Sequence, residues 1–429
     1  MKFKAYHAKR EKIQGKAVVG VDPGRYHHQL ALIDKTGHQL GKSFSIKVDH
    51  NGYTETLWKE LDNRIDAEAE IVFAVEGACN LWQTLTSYLN SMEKEVVTVS
   101  PMVTHHSRPL INNDYSRTDP KDSYLVAMNA QAGRYNEYKV HSAEISQLHQ
   151  LSITYHKLSE DKVRNLARIR SMMNELFPEF KKVVTLDTQT AQYLLKKYFL
   201  PYHYIHLDLE KETRCVRKVS SGQFGQATLE KLKRYATQTI GADRSAEEDV
   251  LRVTLDSWLY QLRHTRHRLN EVSRMMAKLA NQQPGYKELI SLKGISSILA
   301  SRFIAECRGI TQYQSYKQIE KLAGLNLRQS QSGKHVGMRR LSRIGNRRLS
   351  HIVYQMLVQT TKYVPEIRSK YLRRQLKKRC YRKNIMACTS LLLKLIVSLT
   401  KNRRTYEERE DSLAAMKKLE RRYTEAYAS

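Results

Sequence analysis

Four carboxylates stand where a metal could use them. Asp22 lies in the run AVVGVDP (17–23), Glu76 near the end of AEIVFAVEG (69–77), and Asp119 and Asp122 three apart in SRTDPKDSYLVA (116–127). Residues three apart on a helix share a face, so the last two point the same way if a helix starts there. Asp119 before Pro120 suits such a start. Asp is a good N-cap, and Pro fits the first helical position, where its missing N–H had no partner to lose. Taken singly, each acid is a turn, a cap or a first-turn residue favoured by the helix dipole. Taken together, four carboxylates repel unless a cation neutralises them, and hard oxygen ligands suit Mg²⁺ or Mn²⁺. Two such ions clamp the attacking and leaving oxygens of a phosphodiester during in-line displacement.

For the four acids to meet, Asp22 and Glu76 must end neighbouring strands, because ligands gather at the C-terminal strand edge of an open α/β sheet. The flanking sequence predicts the required elements. AVVGVDP, HHQLALID (27–34), the turn KTG (35–37) and HQLGKSFSIKV (38–48) read as three strands joined by tight turns. A helical period over 51–62, a strand over 69–77, a helix over 81–92 and a strand over 95–101 follow. The order predicts a mixed sheet flanked by helices, an α/β domain over 15–140 in which the helix begun at Asp119 packs across the sheet. Strand-end Asp, strand-end Glu and helical DxxD together resemble the RNase H-like nuclease arrangement, RuvC-like resolvases in particular.

The bulk numbers agree with a nucleic-acid partner. A chain of 429 residues predicts two or three domains. Net charge is +30, from 73 Lys and Arg against 43 Asp and Glu, which points to a polyanion. No uninterrupted apolar run reaches 18 residues, which disfavours a membrane partner. Ile385–Leu399, bracketed by basic residues, predicts a buried helix. The basic N-terminus has no apolar core of the signal-peptide kind. Five scattered cysteines without CxxC spacing argue against a disulfide framework and a zinc site, and fit a reducing cytoplasm.

Beyond 140 the pattern is helical. Long helices are predicted over 144–182 and 246–282, with Leu251, Leu255, Leu259, Leu262 and Leu269 near a three-four spacing. The segment 141–283 is thus a helical linker or coiled-coil region, making either a dimer contact or internal packing. Residues 183–245 form a small helical insert with a turn at SSGQFG. Residues 284–400 form a second, all-α domain. It opens with helix, turn at Lys293-Gly294, helix, a hairpin that is either a phosphate-binding N–H cradle or a plain αα-hairpin. Residues 321–350 then carry eight Lys or Arg and no acid, and YLRRQLKKRCYRK (371–383) is similarly basic. Phosphate-backbone binding explains such runs better than a solvated face. The candidates are Lys293, Gly294, Lys334, Arg339, Arg340, Arg343, Arg347, Arg348, Arg373, Arg374, Lys377 and Lys378. Gly345-Asn346 reads as a turn into a basic helix, and 401–429 as a charged tail helix.

The motifs VGVDPG, FAVEG, RTDPKDS, LKGI, AGL…QSG and IGNRRL, in this order and spacing, resemble the DEDD transposases of the insertion-sequence one-ten family. That family includes the Piv-type DNA invertases and the bridge-RNA-guided recombinases. The resemblance covers about residues 17–400, with Ser123 standing where the family usually has Ala after DxxD. It implies that Asp22, Glu76, Asp119 and Asp122 hold the metals. It implies that Ser332 is the nucleophile, in a composite site where the acids of one protomer meet the serine of another and a phosphoserine link forms. It also implies donor and target DNA, a guide RNA from the element's flank, and a homodimer or homotetramer. The residues alone leave alternatives at Ser332. Ser-Gly is a common turn, Ser330 is two residues away, and His335 is a proton shuttle, a phosphate contact or a surface histidine. Lys334, Arg339 and Arg340 could stabilise charge developing on an attacked phosphate. A hydrolytic nuclease, in which the same acids activate water, and a non-catalytic nucleic-acid-binding protein are the rival readings.

Overall fold

A computed structural model describes residues 3–66, 68–329, 331–332, 335–377 and 380–428. The chain divides into two compact units, Met1–Val140 and His141–Ser429.

The first unit runs α1 (Phe3–Ile13), β1 (Ala17–Pro23), β2 (His27–Ile33), β3 (Phe44–Lys47), α2 (Leu57–Asp62, entered through one π turn), β4 (Ile71–Glu76), α3 (Gln83–Ser91), β5 (Glu95–Val99), α4 (Pro101–Ser107), α5 (Pro109–Asn112), α6 (Asp119–Gln131) and β6 (Asn136–Glu137). The sheet order is β3-β2-β1-β4-β5-β6. β1, β2 and β3 are antiparallel neighbours, whereas β1, β4 and β5 are parallel. This is the RNase H-like arrangement. Because side chains alternate across a strand, each central strand feeds two cores. Val19, Val21, Phe73 and Val75 face Leu57, Leu61, Leu85 and Leu89 from α2 and α3. Val18, Val72, Ala74 and Val97 face Ile13 of α1 and Val126, Ala127 and Ala130 of α6. The strand predicted over 38–48 is shorter than expected, only 44–47. Residues 38–43, including Gly41 at φ +73, carry a single bridge from Gln39 to Ile33 and otherwise turn.

The second unit is helical apart from two short β-pairs. α7 (Ala143–Leu176) and α12 (Glu248–Asn281) are the long helices. Between them lie α8 (Gln189–Lys197), α9 (Pro201–Ile205), α10 (Leu209–Val219) and α11 (Gln226–Thr237). α7 and α12 pack side by side, and Leu251, Leu255, Leu259 and Leu262 are buried with the insert's Leu194, Tyr204 and Leu232. Those leucines therefore serve internal packing. Leu269 is half-buried. The other ends of α7 and α12 join a second core built from α13 (Tyr286–Ile290), α14 (Ser297–Cys307), α15 (Tyr316–Leu322), α16 (Arg347–Tyr363), α17 (Pro365–Gln375), α18 (Tyr381–Met386) and α19 (Thr389–Asn402). Tyr381–Asn402 is long and apolar enough to cross a membrane by length and composition alone. Its Ile385, Leu392, Leu393 and Ile396 are buried in this core, as expected of a core helix. α20 (Glu410–Ala428) docks on α17 through an Arg368–Glu420 ion pair of 3.0 Å.

Candidate active site and nucleic-acid interface

β1 and β4 lie in register, Val21 opposite Val75, so Asp22 and Glu76 end adjacent strands. Residues two apart on a strand share a face. Asp22 therefore follows Val18 and Gly20, and Glu76 follows Val72 and Ala74, on the face that α6 covers. Gly20 is what lets α6 come so near. A Cβ there would lie 2.1 Å from the Ser123 carbonyl oxygen and 2.5 Å from the Ala127 nitrogen. Ser123 tolerates burial because its hydroxyl donates to the Pro120 carbonyl at 3.0 Å. The sheet-facing stripe of α6 begins with Asp122, only 2% exposed, and Asp119 lies one turn earlier in solvent. Thr118, not Asp119, is the N-cap residue, and it makes no side-chain cap bond. Asp119 is the first helical residue, so its carboxylate is not spent on capping.

The electrostatics register the convergence. Burial, then the charges of Glu76, Asp122 and Asp119, push the Asp22 carboxyl up to about 6. Glu76 is raised too, by burial and then by Asp122. Asp122 has a counter-ion: Arg108, at the corner between α4 and α5, donates from Nε to Oδ1 at 2.9 Å and from Nη2 to Oδ2 at 2.8 Å. Arg117 lies 3.6 Å from Oδ2 but is largely in solvent. Among the described residues, no three His, Cys, Asp or Glu side chains converge closely enough to hold a metal. The donor set is nonetheless that of a hard divalent cation, since three buried or half-screened carboxylates share one sheet edge and raise one another's affinity for positive charge. Arg108 occupies both oxygens of Asp122 here.

In the second unit the motif segments meet physically. Gly324 of AGL, at φ +67, and Gly345 of IGN lie back to back. A Cβ on Gly345 would fall 2.5 Å from the Gly324 nitrogen and the Leu322 oxygen. Hydrogen bonds from Arg343 N to Gly324 O (2.9 Å) and Asn346 N to Leu322 O (2.7 Å) lock the junction. From it springs a β-pair, β7 (Leu327–Arg328) with β10 (Arg340–Leu341), and beyond that β8 (Gln331–Ser332) with β9 (His335–Val336). Ser332 stands opposite His335 in backbone register. Ser330, Lys334 and Lys378 lie outside the described residues.

The basic candidates fall into two groups. Arg339, Arg340, Arg343, Arg347, Arg373 and Lys377 are exposed, and Arg339 also donates to Gln329 at 3.1 Å. Arg340 stands directly across from Arg328, both exposed. Like charges so placed repel, which an anion would relieve. By contrast Arg348 donates from Nε at 2.9 Å to the buried Glu306, which also accepts from Asn346 at 2.7 Å and Ser152 at 2.9 Å. Lys293 pairs with Glu408 at 2.7 Å. Gly294, at φ +96, packs against Gln359 and Tyr363, as in a plain αα-hairpin. Arg374 is half-buried. Asn346 is the N-cap of α16, its side chain accepting from Leu349 N, as the turn at Gly345-Asn346 predicted. Arg108, Arg328 and Glu306 were not singled out from sequence. Only the repeated basic residues flanking Arg328 gave any signal.

Residues 19–178 match the family model described as a transposase of the DEDD IS110 type. Residues 286–372 match the model described as transposase IS116/IS110/IS902 family. Together they span more than half of the chain. The mini-circle putative transposase for IS117 of Streptomyces coelicolor is 22% identical over 296 residues, 67% of this chain and 70% of that protein. Two solved structures of T. thermophilus RuvC are similar to part of the chain. One, in complex with Holliday junction substrate, is 14% identical, with 29% of this chain and 99% of that chain covered and a TM-score of 0.23. The other is 15% identical, with 28% and 99% covered and a TM-score of 0.21. The acids of the first unit lie in one matched segment and the AGL, QSG and IGNRRL motifs in the other, and the chain belongs to the IS110 family of DEDD transposases, enzymes that cut and rejoin DNA.

Proposed function

We propose that this transposase cuts and rejoins strands through a phosphoserine link. Asp22, Glu76, Asp119 and Asp122 are the ligands of a divalent cation, Mg²⁺ or Mn²⁺, and Ser332 is the nucleophile. The observation that carries the reading is the passage of α6 over Gly20, which delivers Asp122 to the strand ends of Asp22 and Glu76. When bound, the cation polarises phosphate oxygens and screens charge at phosphorus.

In the first step the Ser332 oxygen forms a bond to phosphorus and the bond from phosphorus to one deoxyribose oxygen breaks. That oxygen leaves as a hydroxyl, taking up a proton as serine loses one. In the second step a hydroxyl of another strand end attacks the phosphoserine and restores Ser332. No bond energy is lost between the steps, so rejoining needs no nucleotide cofactor. The exposed cations Arg328, Arg340 and Arg347 hold the DNA backbone near the hairpin. Contacts of that kind carry no sequence information, which supports assigning recognition of donor and target DNA to a structured guide RNA. The acting form is a homodimer or homotetramer, working on nucleoid DNA in a prokaryotic cytoplasm.

The test is a denaturing gel of the protein mixed with its element-end DNA, flanking RNA and Mg²⁺. A covalent protein–DNA adduct is expected, absent from Ser332→Ala and Asp119→Asn. Cleavage without an adduct, insensitive to Ser332→Ala but lost in Asp119→Asn, identifies a hydrolytic nuclease instead.

A further inference from the structure

We propose that Arg108 is a resident counter-cation for Asp122, which a divalent ion must displace, so that Arg108 and the ion compete for one carboxylate. The proposal rests on the reading of the four acids as metal ligands.

The geometry is that of a tight, planar fork. Both carboxylate oxygens of Asp122 accept from Arg108, at 2.9 and 2.8 Å, and the two side chains are 13% and 3% exposed. Bidentate pairs of this kind are among the strongest charge-assisted contacts. Removing the cation from a buried pair leaves an uncompensated charge. Asp122 is thus held in place by a cation drawn from the chain itself, whereas among the described residues Asp22 and Glu76 at the same sheet edge make no ion pair and feel Arg117, and Glu76 also Arg108, only at longer range. An ion coordinating Asp122 would sit beside the guanidinium in a partly dehydrated site. Positive charges so close repel strongly where water does not screen them. One of the two must leave. Arg108 can do so by a side-chain swing, because it stands at the corner between two short helices rather than inside a long one. Arg117 does not take over: at 3.6 Å and 72% exposed it is screened by solvent. The exchange also protects the fold, since Asp122 itself always has a cation against it.

The test uses the full chain and Mn²⁺ alone as the probe. Binding is read from the loss of the free-ion electron paramagnetic resonance signal, and stability from thermal unfolding with and without Mn²⁺. The variants are Arg108→Met, which keeps bulk and removes charge, Arg108→Lys, which keeps charge and loses the fork, and Asp22→Asn. Arg108→Met is expected to unfold at lower temperature without the ion. It is expected to bind Mn²⁺ about tenfold more tightly and to gain more from it in unfolding temperature. Arg108→Lys is expected to tighten binding by a smaller factor, and it decides the matter should Arg108→Met not fold. Asp22→Asn is expected to abolish binding. If the Arg108 variants bind Mn²⁺ no better or more weakly while Asp22→Asn still abolishes binding, Arg108 orients Asp122 for the ion and the competition is overturned alone. If Asp22→Asn binds as the natural chain does, the acids are not the ligands and the proposal falls with that reading.

Discussion

Asp22 and Asp122 both lose water as they gain carboxylate neighbours, and only Asp122 has a side-chain cation against it in return. Asp22 consequently keeps its proton up to about pH 6. Six residues away, His28 on β2 is fully buried, its Nε2 at 2.8 Å from the Tyr53 hydroxyl, and burial pushes it down to about 4. The two groups pull stability in opposite directions over nearly the same window. Between its ordinary 3.8 and about 6 the folded chain binds more protons at Asp22 than the unfolded chain does, so this term weakens folding as pH rises. Between about 4 and 6.5 the unfolded chain binds more protons at His28, so this term strengthens folding as pH rises. Each amounts to roughly 3 kcal/mol across its window, and in the natural chain they largely cancel. In EDTA, His28→Gln is therefore expected to grow more stable on acidification from pH 6.5 to 4.5 relative to the natural chain, and Asp22→Asn less stable. Urea unfolding followed by Trp58 and Trp82 in a Trp258→Phe background reads the first unit, and parallel pH profiles in all three proteins would refute the assignment. Asp22 and Glu76 were legible because strand-end acids stand out against β-branched runs. Arg108 was not, because HHSRPL has no pattern of its own and its partner lies fourteen residues on, joined only by tertiary packing.

The placement of α6 over β1 is an element-scale consequence of one missing side chain. In Gly20→Ala the new Cβ would strike the backbone of Ser123 and Ala127, which cannot turn aside as a side-chain tip would. α6 must lift from the sheet, at about 1–3 kcal/mol or more for overpacking of this kind. Asp119 and Asp122 move with it, so Mn²⁺ binding should fall together with stability. Gly222→Ala is the control, in a left-handed turn at φ +85 with nothing within 4 Å; it should lose about 1 kcal/mol and leave Mn²⁺ affinity unchanged. Equal losses of affinity in the two variants would show that α6 is not positioned through Gly20. The sequence order of strands and helices revealed this layer, since hydrophobic period separates them well. It did not reveal which face α6 would cover, because that depends on the alternation of Val18, Gly20 and Asp22 against Val19 and Val21, read in three dimensions. The leucine spacing on α12 was equally visible and equally silent on its partner. A heptad-like stripe serves an internal helix as readily as a second chain, and here Leu251 to Leu262 pack on the chain's own insert. AGL and IGN were legible as motifs, but their meeting through Gly324 and Gly345 was not, since it joins residues twenty-one apart.

At the scale of the molecule, a net charge of +30 states that a polyanion is bound without saying where. The structure narrows the choice by showing which cations already have carboxylate partners. Arg348 braces Glu306, and Lys293 pairs with Glu408. Arg340 faces Arg328, and Arg347 opens α16, whose first turn holds no acid to offset the helix's positive end. Among the described residues these last three have no carboxylate partner, which is the arrangement a phosphate backbone resolves. Each phosphate contact adds about 0.9 to the magnitude of the slope of log affinity against log salt. Arg340→Ala and Arg347→Ala are therefore expected each to weaken binding to duplex DNA uniformly across sequences and to lower that slope by about 1, as read by fluorescence anisotropy between roughly 50 and 200 mM salt. Arg348→Ala should behave differently. It leaves a buried carboxylate short of a donor, so it should lower unfolding stability by about 1–3 kcal/mol while its salt slope stays near that of the natural chain. A slope unchanged by Arg340→Ala and Arg347→Ala, or reduced equally by Arg348→Ala, would move the DNA path away from the hairpin base and the start of α16. The remaining exposed cations, Arg373 and Lys377 on α17 and its end, would then be the next to remove.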